Sequence, residues 1–341
     1  MGNLSQKEKV NNIQIKKIKY IDISSFFKKV PIQLPNYCTG YKRYLLNITV
    51  LKNGNILLKN NLVFTIEADG LNKNEYSIEI YNKNFSKLIY KKELNSMEEL
   101  FTLKNDLICI RSYEKGTIYD VSKNKLNLIK EIKLDDIFLT FLPSNNSNNY
   151  FIGYKNKYTN KNKDKYIIEI LDKNFEKINY ININESFEFC NNIYEIYDKN
   201  LICAFFVKQK LIFWNIKENK NFKSFKLNYC TYKIWDYDNI IIKNNKFYVS
   251  NLEEILIINL DTFEIETKIK LKYWLNCFCF YNLSKNKVLA AMNNNIFIID
   301  SKTYKFSKDN EITGNPIKFE KINDKSFRLI TDEGIYIFKN K

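Results

Sequence analysis

Hydrophobic and polar positions alternate along this chain in one recurring phrase: a short apolar run, an Asp, Asn or similar polar residue, a Lys/Asn turn, and a second run that alternates lysines with apolar residues. The phrase occurs at residues 77–82 (SIEIYN), 116–120 (GTIYD), 167–172 (IIEILD), 211–215 (LIFWN), 255–259 (ILIIN), 296–300 (IFIID) and 334–339 (GIYIFK). Taking the polar residue that closes each phrase as its anchor, successive anchors lie 38, 52, 43, 44, 41 and 39 residues apart. Insertions at 144–149, rich in Ser and Asn, and at 156–165, rich in Lys and Asn, account for the longest interval. Runs of this kind, separated by turn residues, predict short strands.

The spacing brackets the ~40–45 residues of a WD40 blade. The segment Leu211-Ile212-Phe213-Trp214-Asn215-Ile216-Lys217 resembles that family's apolar-x-apolar-Trp-Asp-apolar pattern, with Asn215 in place of the Asp. The resemblance implies an all-β fold, a seven-bladed β-propeller in which each anchor ends a third strand, and places Trp214 between blades. The chain holds no His, so the family's Gly-His dipeptide is absent and each blade is expected to rely on apolar packing against its neighbours. Expected boundaries are about 41–94 for blade 1, 95–135 for blade 2, 136–184 for blade 3, 185–230 for blade 4, 231–271 for blade 5 and 272–312 for blade 6. Blade 7 takes 313–341 together with 13–23. The seventh phrase stops at its third strand, and residues 13–23, strand-like without a blade of their own, are read as the missing fourth strand that closes the ring.

With 341 residues the chain can bury a large core without disulfides or metal, and its 24 Tyr and 25 Phe favour strands. A net charge of +16 keeps RNA, DNA or an anionic lipid surface in view as an alternative partner. Against that, Lys, Asn and Ile are enriched together, as codon bias in an AT-rich genome produces. Only Arg43, Arg111 and Arg328 offer the bidentate fork that phosphate and base readers favour. Seven cysteines without a CxxC read as reduced core residues, and the N-terminal stretch holds neither a secretory signal nor an apolar span, so the expected location is cytoplasmic or nuclear. The start Gly2-Asn3-Leu4-Ser5-Gln6 looks like an N-myristoylation signal, with Gln6 where the pattern has Ser or Thr.

No catalytic, metal or cofactor motif emerges. Without His the usual neutral-pH base is missing, and the pairs Glu98-Glu99, Asp135-Asp136 and Glu253-Glu254 read as exposed loop charge. Cys277-x-Cys279 lacks the further ligands that a tetrahedral zinc site needs. The glycines form no phosphate-binding loop; Gly54, Gly70, Gly116 and Gly334 sit in turn-like contexts. What remains is the docking face that the resemblance implies, made by the loops between blades and by those joining strands two and three. Tyr41, Arg43 and Tyr44 would enter blade 1 there, with Arg111 and Tyr113 in blade 2, Tyr229 and Tyr232 entering blade 5, and Tyr273 and Trp274 entering blade 6. Arg43, Arg111 and Trp274 lead that set, because Arg and aromatic side chains dominate interface hot spots. The expectation is a non-catalytic intracellular scaffold that binds a protein or peptide and needs no cofactor.

Overall fold

Each apolar run of the repeat phrase becomes the third strand of a four-stranded antiparallel sheet in the computed structural model. The structure describes residues 15–23, 38–66, 72–96, 98–112, 115–133, 137–144, 147–155, 166–183, 190–196, 201–206, 210–226, 240–250, 254–271, 278–292 and 294–340. After β1 (Ile15–Asp22), blade 1 is β2 (Cys38–Val50), β3 (Ile56–Ile66), β4 (Asn72–Tyr81) and β5 (Leu88–Leu94). Blade 2 is β6 (Glu99–Thr102), β7 (Leu107–Arg111), β8 (Lys115–Asp120) and β9 (Asn127–Lys133). Blade 3 is β10 (Ile137–Pro143), β11 (Tyr150–Lys155), β12 (Tyr166–Leu171) and β13 (Lys177–Ile183). Blade 4 is β14 (Cys190–Ile196), β15 (Leu201–Phe206), β16 (Lys210–Asn215) and β17 (Lys220–Lys226). Blade 5 is β18 (Ile240–Lys243), β19 (Lys246–Ser250), β20 (Glu254–Asn259) and β21 (Glu264–Lys270). Blade 6 is β22 (Phe278–Ser284), β23 (Lys287–Met292), β24 (Asn295–Asp300) and β25 (Phe306–Glu311). Blade 7 is β26 (Pro316–Asn323), β27 (Ser326–Thr331), β28 (Gly334–Asn340) and, as its fourth strand, β1.

First strands of neighbouring blades approach one another (β6 and β10, β10 and β14, β18 and β22, β22 and β26), so they surround the axis and the fourth strands form the rim. The second and third strands are apolar on both faces because each sheet is sandwiched between two others. Seven apolar clusters result, one at each junction between blades. Trp214 is 8% exposed in the cluster between blades 3 and 4, packed with Phe151, Ile168, Ile170, Ile202 and Ile212, and its indole N–H donates to Asn219 Oδ1 at 3.2 Å.

The anchors have a physical task. Six of the seven cap the turn into the fourth strand: Asn82 Oδ1 accepts from the Ser86 N–H (2.8 Å), Asp120 from Ser122 (2.7 Å), Asp172 from Asn174 and Glu176 (2.8 and 2.9 Å), Asn215 from Glu218 (3.0 Å), Asn259 from Asp261 (2.8 Å) and Asp300 from Lys302 and Thr303 (2.9 and 2.8 Å). In the same six turns one residue adopts a left-handed backbone: Phe85 (φ 55°), Asn124 (59°), Phe175 (62°), Asn219 (47°), Phe263 (52°) and Tyr304 (56°). That conformation costs a residue with a Cβ about 1–2 kcal/mol. For Phe85, Phe175 and Phe263 the ring folds into the groove against the preceding blade, and burying it contributes ~2 kcal/mol or more.

The ring closes where β1 pairs antiparallel with β28, Ile15 opposite Asn340 and Asp22 opposite Gly334. Tyr20 packs on Tyr336 (ring centroids 4.5 Å apart), and the Lys17 ammonium lies over both rings. Ile23 is fully buried between blades 7 and 1, its N–H donating to the Glu333 carbonyl at 3.0 Å. Gly334 is required by this approach, since a Cβ there would come within 2.5 Å of both the Ile21 carbonyl oxygen and the Tyr20 ring.

Candidate functional site

Antiparallel order puts the turns between strands one and two, and three and four, on one face of the ring. The turns between strands two and three and the connections between blades lie on the other. On this second face one blade departs from the rest. In blades 4 and 6 the four strands end level, with Cys190, Phe206, Lys210 and Lys226, and Phe278, Met292, Asn295 and Glu311, paired across each sheet. In blade 1 the fourth strand stops at Leu94, opposite Tyr76, while β2, β3 and β4 continue paired to Cys38, Ile66 and Asn72. Four to five further residue pairs at about 3.3 Å each make a three-stranded ribbon that stands roughly 15 Å proud of its neighbours.

Tyr41, Arg43 and Tyr44, expected in the loop entering blade 1, are in the ladder of this ribbon and its root: Tyr41 is opposite Phe64, Arg43 opposite Leu62 and Tyr44 opposite Asn61. The structure differs from that expectation because the run from Cys38 onward is itself strand and does not precede it. Arg111 is likewise the last residue of β7, opposite Gly116, and not in the turn. Its guanidinium pairs with Glu99 at 2.9 Å, lies over the Phe101 ring and is mostly buried. Tyr113, Tyr229, Tyr232, Tyr273 and Trp274 lie outside the described residues, as does Gly2.

Other candidates resolve into structural roles. Glu99 is in β6 and holds Arg111; Glu254 is in β20, 3.5 Å from Lys268; neither is loop charge. Glu98 Oε2 accepts from the Asn95 N–H at 2.8 Å. Asp135, Asp136, Glu253, Cys277 and Gly70 lie outside the described residues. Cys109 and Cys279 are buried free thiols, and burial raises the Cys109 pKa. Of the turn-like glycines, Gly54 has a left-handed backbone (φ 86°), whereas Gly116 and Gly334 are strand residues. Among the described residues no group of three or more His, Cys, Asp or Glu is placed to hold a metal, and no helix is long and apolar enough to cross a membrane. The nearest thing to a catalytic constellation is on the rim between blades 5 and 6, where Lys246 meets Tyr304 and Glu266 (2.7 Å to Glu266), and the Tyr304 hydroxyl donates to Glu266 at 2.6 Å. Burial there works against the Lys246 charge, but the Glu266 and Tyr304 hydrogen bonds outweigh it and raise the lysine's pKa, so this group is an ion-pair strut rather than a neutral amine base.

The face of the strand-one turns carries buried polar links between blades that sequence reasoning missed. Lys104 Nζ of blade 2 donates to the Ser147 carbonyl of blade 3 (2.6 Å), and Ser144 and Ser147 of that blade donate to the buried Glu195 of blade 4 (2.5 and 2.7 Å). Lys243 of blade 5 reaches the Ser284 and Lys287 carbonyls of blade 6. In blade 7, Glu320 accepts from Arg328 Nε (2.5 Å) and pairs with Lys318 (2.8 Å), and these two cations reach Val50 O (3.1 Å) and Thr49 Oγ1 (2.9 Å) of blade 1. Burial opposes the Glu320 charge, but Lys318 and Arg328 together lower its pKa. Burial lowers the pKa of Lys104 and of Lys243. No sequence signal marks these links, because each is completed by a residue of the next blade.

Among the described residues, exposed lysines stand on the turns of the strand-one face (Lys52, Lys83, Lys87, Lys123, Lys125, Lys173, Lys217, Lys285, Lys302, Lys305 and Lys325) and also along the rim. Lys16, Lys17 and Lys19 in β1, Lys91 in β5, Lys133 in β9, Lys177 in β13, Lys220, Lys223 and Lys226 in β17, Lys268 and Lys270 in β21 and Lys308 in β25 put positive charge on the outer strand of every blade. Lysine on an edge strand discourages pairing with another chain.

One cleft of about 580 Å³ opens between blades 7 and 1. Its lining includes Ile21, Ile335 and Ile337 of the seam strands, Val50 and Ile56 of blade 1, and Ile322, with Lys19 contributed by blade 7, Lys83 by blade 1, and Arg328.

No protein-family model and no curated protein matches the chain. Among solved structures it is similar to a chain of the crystal structure of the mitotic checkpoint complex, with a TM-score of 0.59 at 9% sequence identity, over 99% of this chain and 96% of that one. At such identity the likeness is one of fold.

Proposed function

We propose that this WD40-like propeller is a non-catalytic scaffold that docks a protein or peptide on the face carrying the blade 1 ribbon, with Arg43, Arg111 and Trp274 as its principal contacts and Tyr41, Tyr113 and Tyr273 around them. The observation that carries the reading is the ribbon: six sheets need only four level strands to complete the ring, and the extra length in blade 1 adds nothing to closure. Arg111 suits the role because Glu99 and Phe101 hold its fork in place, so little side-chain freedom is lost on binding.

The test is capture from native lysate followed by titration of the purified partner. Arg43→Ala, Arg111→Ala and Trp274→Ala should each weaken binding by about 1–2 kcal/mol with melting unchanged. Removing residues 62–75 of the ribbon behind a short turn should weaken it further. Binding that ignores all of these and falls by orders of magnitude between low and physiological salt would overturn the docking face in favour of a phosphate-bearing partner.

A further inference from the structure

We propose that the cleft between blades 7 and 1 is a second binding site, which takes an acidic peptide segment carrying an aliphatic anchor. It is separate from the ribbon face and does not depend on that reading. At about 580 Å³ the cleft falls within the ~300–1,000 Å³ range of binding pockets, large enough for a few residues of chain and small enough to select among them.

The lining decides the chemistry. Its walls are branched aliphatic side chains, and Ile322 at the lip is 43% exposed, an apolar surface that a ligand would remove from water. Two exposed lysines line it, one from each blade, Lys19 from β1 and Lys83 from the turn that follows β4, and among the described residues neither makes a hydrogen bond or ion pair. Arg328 is held by Glu320 and by Val50 O, and because Glu320 also pairs with Lys318 this group keeps one positive charge beside the cleft. Among the described residues no carboxylate lines the cleft. An apolar trough that carries an unneutralised ammonium group from each of its two blades complements an aliphatic side chain with carboxylates beside it. A nucleic acid fits poorly, because among the described residues no aromatic ring in the lining offers a base a stacking platform. A flat bilayer cannot enter a concavity between two blades.

The site straddles the ring's non-covalent closure, so a peptide that touches both walls binds only the closed ring and raises its melting temperature by mass action. To test this, the full chain is panned against a random heptapeptide library, and the enriched peptide is synthesised with a fluorescent label and titrated at physiological salt. The expected winner joins Ile, Leu, Val or Phe to flanking Asp or Glu. It should lose at least about fivefold in affinity on Lys19→Glu/Lys83→Glu, a reversal of two surface charges. It should lose as much on Ile322→Asp, and nothing on Arg43→Ala. Saturating peptide should raise the melting temperature of the wild type but not of the double variant, whose own melting, with both lysines exposed, should match wild type. Enriched peptides without acidic residues, a loss below fivefold in the double variant, or no enrichment at all would each overturn the proposal, whatever the ribbon variants do.

Discussion

Phe263 ends a turn in blade 5 with φ 52°, and its ring meets Phe213 and Phe222 edge-on, with centroids 5.2 and 4.7 Å away. Phe263→Ala deletes a ring that is 5% exposed in the junction between blades 4 and 5, for which a loss of about 3–5 kcal/mol is expected. The alanine keeps a Cβ in a left-handed conformation, so none of the ~1–2 kcal/mol of backbone strain is relieved. Phe263→Gly empties the same hole and releases that strain. It gives back only the ~0.5–1 kcal/mol of extra freedom that glycine has in the unfolded chain. The usual order of the two small residues should therefore reverse, with the glycine variant up to about 1.5 kcal/mol more stable than the alanine variant. Equilibrium urea denaturation followed by fluorescence, comparing midpoints at a shared slope, reads both differences. A loss below about 1 kcal/mol for Phe263→Ala, or an alanine variant clearly more stable than the glycine one, would refute the account of these turns.

Two further outcomes follow from the ring. Deleting residues 1–23 removes β1, uncovers Ile335, Tyr336 and Phe338 and leaves β28 as an open edge; a sharply lower melting temperature or aggregation is expected, and melting within a degree or two of the full chain would contradict closure. The Asp120, Asp172 and Asp300 pKa values are lowered by the hydrogen bonds of their turns. Carboxylates depressed in the folded state stabilise it above their unfolded pKa, near 4, and lose that contribution as pH falls below it. Asp300→Asn should keep the turn, since Asn82, Asn215 and Asn259 cap the same turn in other blades, yet flatten the loss of stability between pH 5 and 2. An unchanged acid slope in the variant would show that Asp300 does not contribute to it.

Much of this architecture was legible because the third strand is written in two independent ways, by an apolar run buried on both faces and by the Asx cap that follows it. The seventh phrase breaks the rule at Lys339 for a physical reason: no hairpin leads from β28 to β1, so nothing there needs a cap. The left-handed aromatics also had a sequence signal, a Phe or Tyr three or four residues past the anchor at Phe85, Phe175, Phe263 and Tyr304, but a ring in a turn reads as strand until its φ is known. The ribbon was hidden by its own regularity. Residues 38–50 and 56–66 look like strands at any length, and only the end of β5 at Leu94 reveals how far they overshoot. The candidate site was correspondingly less legible than the fold, and Arg43 and Arg111 turned out to be strand residues.

The seam between β1 and β28 gives the ring a direction of mechanical weakness. Ile15 and Asn340 sit opposite each other at the same end of the pair, so tethers attached at these two points load the ladder one rung at a time. A pair opened in this way peels apart rung by rung, whereas handles at Ile15 and Gly334, at opposite ends, would shear all of its bonds together. In an optical trap the first geometry should release β1 at a much smaller force than the second. The released length should be that of one strand, with the six remaining hairpin-linked blades yielding only afterwards.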